Sequence, residues 1–116
     1  MMALAERFED LKAVSQPTNW RGRSGRFYAL VAQSLADFSL DGDDLYMLAS
    51  GRRVLWVGGA AEVIFEPATR AHFRLALRQA DSVFRVSAPA TDIERMTIAW
   101  DLDGAEPVFG LSLTRR

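Results

Sequence analysis

Apolar positions in this chain fall in short runs separated by turn-formers, with no long apolar stretch. The clearest runs are Leu45-Tyr46-Met47-Leu48 and Val54-Leu55-Trp56-Val57, joined through Ala49-Ser50-Gly51-Arg52. Two runs of this kind around a short glycine-containing connection predict a hairpin over about 44–58, ended by Gly58-Gly59. Downstream, Pro67 suits the first turn of a helix, and Phe73, Ala76, Leu77 and Ala80 share one face, predicting a helix over about 67–80. A hairpin cannot bury its apolar face alone. This helix is therefore expected to cover it, with Trp56 and Phe73 in one core.

The flanks carry weaker patterns. Leu4, Phe8 and Leu11 are spaced four and three apart, which predicts an N-terminal amphipathic helix within 1–16, ended before Pro17. Residues 17–26 are polar, basic and rich in turn-formers, and read as a flexible basic connection. The domain is then expected to occupy 27–116. Within it, 27–38 fits two readings, a buried strand through Phe27-Tyr28-Ala29-Leu30-Val31 or a helix with Phe27, Leu30, Val31, Leu35 and Phe38 on one face. Val83-Phe84-Arg85-Val86-Ser87 reads as a strand. Thr91-Asp92-Ile93-Glu94 reads as a short helical turn, Met96-Thr97-Ile98-Ala99-Trp100 as a last full strand by its alternation, and 108–113 as an edge segment. The fold class expected is α+β: a small domain with an antiparallel sheet centred on the hairpin and packed by one main helix.

Composition sharpens this only slightly. A chain of 116 residues, 49% hydrophobic and 25% charged, suits one globular domain. No run approaches the ~18 apolar residues of a membrane span, so no membrane partner is expected. The opening MMALAERFEDLK holds acids and no apolar core segment, and cysteine is absent; together these point to a cytoplasmic protein. Of 14 positive residues only Lys12 is lysine, a bias that GC-rich coding explains and that also suits bidentate recognition of phosphate or carboxylate.

Candidate chemistry is sparse. The single histidine, His72, falls within the predicted helix and reads as a surface residue; one histidine cannot build a multi-histidine metal site. No serine stands in a nucleophile-elbow context, and Gly58-Gly59 is followed by Ala60-Ala61-Glu62 without a phosphate-binding lysine, so neither cofactor nor metal is expected. Arg70, Arg74 and Arg78, four apart, form a stripe along the 67–80 helix, where like charges repel unless acids or a ligand face them. Trp20, Arg21, Arg23 and Arg26 form a second basic and aromatic group of a kind that stacks on bases and contacts phosphates. These seven residues are the candidate contacts for a ligand or partner.

Three resemblances attach to these residues. Trp100-Asp101-Leu102-Asp103-Gly104 resembles the opening motif of the haloacid dehalogenase phosphatases, in which the first aspartate is the nucleophile. Ala105 stands where that family has a threonine, and 12 residues follow Gly104. Asp44-Leu45-Tyr46 with Val54-Leu55-Trp56-Val57-Gly58 and the following helix is similar to the hairpin and helix of the GIY-YIG endonucleases. There Trp56 replaces the second tyrosine, Glu66 stands near the position of the catalytic arginine, and Arg70 comes one turn later. The same hairpin, with Ala105-Glu106-Pro107-Val108-Phe109, is also similar to the gelsolin repeat. The function these observations favour is a non-catalytic protein-interaction module, with a protein partner or a homo-oligomer. The alternative is a nucleic-acid-binding protein on a degenerate GIY-YIG-like scaffold.

Overall fold

A computed structural model describes residues 17–40, 42–87 and 89–108. The expected helix in 1–16 and residues 109–113 of the expected edge segment lie outside the described residues. Six strands form one antiparallel sheet in the order β4-β3-β5-β2-β1-β6: β1 (Pro17–Arg21), β2 (Phe27–Gln33), β3 (Leu45–Ser50), β4 (Arg53–Gly58), β5 (Ser82–Val86) and β6 (Glu106–Val108). Among the described residues three α-helices pack around it: α1 (Ala60–Phe65), α2 (Pro67–Gln79) and α3 (Asp92–Asp103). The class is α+β.

The hairpin and its lid stand where the sequence places them. Ser50 pairs with Arg53, leaving Gly51 and Arg52 as the turn, and Gly51 has φ +59°, where a residue with a β-carbon would be strained. β3 is central, and its alternation splits the core into two layers. Leu45, Met47 and Ala49 face α3, while Tyr46 and Leu48 face α2. In β4, Leu48 pairs with Trp56 but Ala49 pairs with Val54, so Leu55 is an extra bulged residue. The bulge sends Val54 and Val57 to the α3 layer and Trp56 to the α2 layer. Trp56 and Phe73 meet there edge to face, with centroids 4.8 Å apart. Of the expected inner face of α2, Ala76 is buried and Phe73 and Ala80 pack against the core, but Leu77 is exposed.

Two expectations are corrected, and one open choice is resolved in favour of the strand. Residues 17–26 are not a connection outside the domain. Pro17 to Arg21 form β1, paired with Phe27 to Val31 of β2, so this stretch is the first hairpin. Its polar outer positions hid a strand whose other side carries the buried Trp20. The ambiguous 27–38 is a strand over Phe27–Gln33 followed by a 3-10 turn over Leu35–Asp37. The expected strand at 96–100 is the middle of helix α3, whose Thr91 hydroxyl caps the Glu94 N–H at 3.0 Å while Glu94 Oε1 accepts from the Ala90 N–H at 2.8 Å.

The sheet is narrowest at its middle. β2 and β5 pair only through Ala32 with Phe84 and Gln33 with Val83, which divides the sheet into a β3-β4-β5 half and a β1-β2-β6 half. α3 spans both. Its Ile98, Leu102 and the following Ala105 share a cluster with Leu45 and Met47 of one half and Trp20, Tyr28 and Leu30 of the other.

Candidate interaction surface

The two groups of sequence-predicted contact residues lie on different layers. Arg70, Arg74 and Arg78 are on α2. Arg74 and Arg78 are exposed, but Arg70 is half-buried and its Nη1 donates to the Ile64 carbonyl at 3.4 Å. Beside them Leu75 and Leu77 are also exposed, and between α2 and β4 runs a shallow groove of about 250 Å³ lined by Arg53, Leu55, His72 and Leu75. His72 sits on the helix surface, as expected.

The second group is built into the fold. Trp20 is 1% exposed, packed edge to face on Phe84 with centroids 5.4 Å apart, so its ring is not available for stacking on a base. Arg21 is exposed on the outer side of β1. Arg23 anchors the β1–β2 loop to the end of α3: its backbone N–H donates to the Asp101 carbonyl at 3.1 Å, Nε to the Trp100 carbonyl at 2.9 Å and Nη2 to Asp103 at 3.1 Å. Its guanidinium also lies 5.3 Å from the Trp100 ring centroid. Arg26 stacks over Tyr28 at 4.8 Å.

At the centre of this clamp is Asp101, a buried carboxylate that accepts from the Ser24 N–H at 2.7 Å, the Ser24 hydroxyl at 2.8 Å and the Tyr28 hydroxyl at 2.7 Å. Burial alone would raise its pKa. The donors from Ser24 and Tyr28, helped by the Arg26 charge, outweigh burial and hold it below the usual carboxylate range. Burial, then the hydrogen bond to Asp101 and its charge, push the Tyr28 phenol up to about 12. Gly22 passes directly over this carboxylate, and a β-carbon there would collide with it. Both aspartates of the phosphatase-like motif are thus engaged in the last turn of a helix, Asp101 by the β1–β2 loop and Asp103 by Arg23. Of the residues quoted for the endonuclease resemblance, Tyr46 and Trp56 lie buried in the α2 layer.

A second polar cluster joins the opposite end of α3 to α1. Arg95 pairs with Glu62 at 3.1 Å and donates to the Asp43 carbonyl, and Glu62 accepts from the Gly59 N–H at 2.9 Å. Burial opposes the charge on Glu62, but these hydrogen bonds and Arg95 bring its pKa below the ordinary value. Next to this pair is a cleft of about 470 Å³ lined by Asp43, Ala61, Thr91, Asp92 and Arg95. No group of three His, Asp or Glu side chains among the described residues is placed to hold a metal ion.

The surface feature that sequence reasoning missed is on α3. Ile93, Met96 and Trp100 are 78%, 71% and 58% exposed and follow one another at intervals of three and four, a continuous ridge over two turns. The buried Ile98, Asp101 and Leu102 lie on the opposite side. The signal that could have found it is Thr91-x-x-Glu94, a capping box that turns 92–103 from an alternating strand into a helix. Compared with known proteins, the chain matches no family model, no curated protein and no solved structure.

Proposed function

We propose that this protein is a protein-interaction module and that its contact surface is the outer face of α3. The observation that carries this reading is the ridge Ile93, Met96 and Trp100, three large apolar side chains more than half exposed on one helix face. The largest exposed apolar patch on a small protein, roughly 300–600 Å², is often a functional surface. Trp100, with the Arg23 guanidinium over its ring, has the make-up of an interface anchor, since tryptophan and arginine dominate binding energy when a partner excludes water from them. Its ring already lies against the Arg23 guanidinium, which lowers the ordering cost of binding.

Nucleic-acid binding is the second reading, favoured by the exposed Arg74 and Arg78. It ranks second because the burial of Trp20 and the engagement of Arg23 and Arg26 leave Arg21 alone of the β1–β2 group beside the α2 arginines, in a chain of net charge −1.

A photo-crosslinking side chain placed at Met96 tests the two together in native extract. The expected result is a discrete protein adduct that survives nuclease treatment and disappears when Trp100→Asp is added. Absence of any adduct, or its loss on nuclease treatment, would contradict the protein reading.

A further inference from the structure

We propose that the outer face of the β1–β2 hairpin is covered by this chain's own N-terminal segment, residues 1–16, lying across it as an amphipathic helix. The observation behind this is the make-up of β2. Tyr28 and Leu30 point towards α3 and are buried with Trp20. Phe27, Ala29 and Val31 point to the other side and are exposed, Phe27 by 58% and Val31 by 36%. A strand with one solvated face alternates apolar with polar residues, whereas a strand covered on both faces is apolar throughout. β2 is apolar from Phe27 to Ala32, and it lies inside the sheet between β5 and β1. Gln33 pairs with Val83, a member of the α2 cluster, so the bare patch continues the side of the sheet that α2 covers over β3, β4 and β5. A cover of the same kind is therefore missing over β1 and β2.

Position, pattern and length choose the occupant. Segment 1–16 runs directly into Pro17, which pairs with Val31 at the edge of the patch. Its Leu4, Phe8 and Leu11 share one helical face. A helix from Met2 to Val14 is about 20 Å long, against about 17 Å for the five residues of β1. Ser15 and Gln16 suffice for a tight connection, so the helix returns antiparallel to β1. Leu11 then falls near Val31 and Leu4 near Phe27, with Phe8 over the small Ala29. Leu4 to Leu11 spans about 10 Å of helix and Phe27 to Val31 about 13 Å of strand, so the two rows match. Charge does not oppose this packing. The polar side chains on the patch are Asn19, Arg21, Gln33 and Glu106, and Arg21 stands opposite Glu106 in register. On the segment, Glu6, Glu9 and Asp10 fall on the helix face away from Leu4, Phe8 and Leu11, with Arg7 and Lys12 at the flanks. Attachment to β1 also keeps the segment at a high effective concentration, an advantage that a separate partner lacks.

Hydroxyl-radical footprinting of the dilute full chain tests the proposal. In the parent Phe27 should oxidise slowly. In Phe8→Asp and, separately, in Leu11→Asp its rate should rise several-fold, while exposed Trp100 keeps its rate and buried Met47 stays resistant, which shows that the core is intact. The absence of cysteine from the chain permits a positional check. Oxidised at low concentration, Phe8→Cys/Ala29→Cys should close a disulfide within one molecule, because facing positions of packed elements come within disulfide reach. Phe8→Cys/Met96→Cys, whose second position lies on α3 at the other side of the sheet, should not. Equal Phe27 oxidation in the parent and both aspartate variants overturns the proposal. A Phe8–Ala29 link that forms only between molecules also overturns it and assigns the patch to a second copy. Phe27 that is protected only in native extract overturns it in favour of a different protein. None of these outcomes depends on the α3 ridge, whose reading stands or falls through Met96.

Discussion

Asp101 shows how one side chain can hold a hairpin, a helix end and a hydroxyl network together. Three donors converge on its carboxylate from the β1–β2 loop and β2, and the loop backbone at Gly22 closes over it. Asp101→Ala strands the Tyr28 hydroxyl and the Ser24 N–H, and is expected to cost about 2–4 kcal/mol in urea unfolding at neutral pH. The sign of its pH dependence follows from the lowered folded-state pKa. The contribution is complete above the unfolded value, roughly 4, and is lost as pH falls through the lower folded value. Tyr28 acts at the other limb. Its phenol is raised, so its contribution holds below roughly pH 10 and is lost as pH climbs towards about 12. Urea midpoints measured between pH 7 and 2 should therefore fall more steeply for the parent than for Asp101→Ala. Parallel curves with equal midpoints at pH 7 would show that the clamp does not stabilise the fold.

At the scale of elements, α3 divides two tasks between its two faces. Ile98 is 6% exposed inside the cluster that joins both halves of the sheet, so Ile98→Ala should cost about 2–4 kcal/mol. Met96→Ala, two residues away on the opposite, open side of the helix, should change the stability of the dilute protein by no more than about 0.5 kcal/mol. Chemical unfolding at low protein concentration checks the pair; equal losses would mean that Met96 also packs within the chain. This double-sided character also explains what was legible in the sequence. The hairpin at 44–58 and the 67–80 helix were readable because each carries its apolar residues at the period of its own structure, as Phe73, Ala76 and Ala80 do. Met96, Ile98 and Trp100 alternate as a strand would, since a helix apolar on two sides has no single stripe to betray it. β1 was hidden for another reason. Asn19 and Arg21 point outward beside a turn-rich loop, and the inward Trp20 alone does not make a strand pattern. The arginine stripe was correctly placed on a helix, but sequence could not tell that Arg23 and Arg26 are engaged at the β1–β2 loop.

In the molecule as a whole, two half-sheets meet through the short β2–β5 pairing, and α3 is the strut laid across them. Pinning one end at Glu62 and Asp43 and the other at Ser24 and Tyr28 makes its outer face a rigid platform. A surface meant to meet a partner gains from such rigidity, because little order remains to be imposed on binding. The central claim, that this platform is a protein contact surface, is tested most directly by hydroxyl-radical footprinting of the purified protein alone and supplemented with native extract. Two methionines in the same chain supply the contrast: Met47 is fully buried in β3, and Met96 is 71% exposed on α3. The account predicts that Met47 resists oxidation in both settings, while Met96 and Trp100 react readily in the purified protein and become protected in the presence of the extract. Protection of Met96 and Trp100, relative to other exposed side chains, that is unchanged by the extract would contradict it.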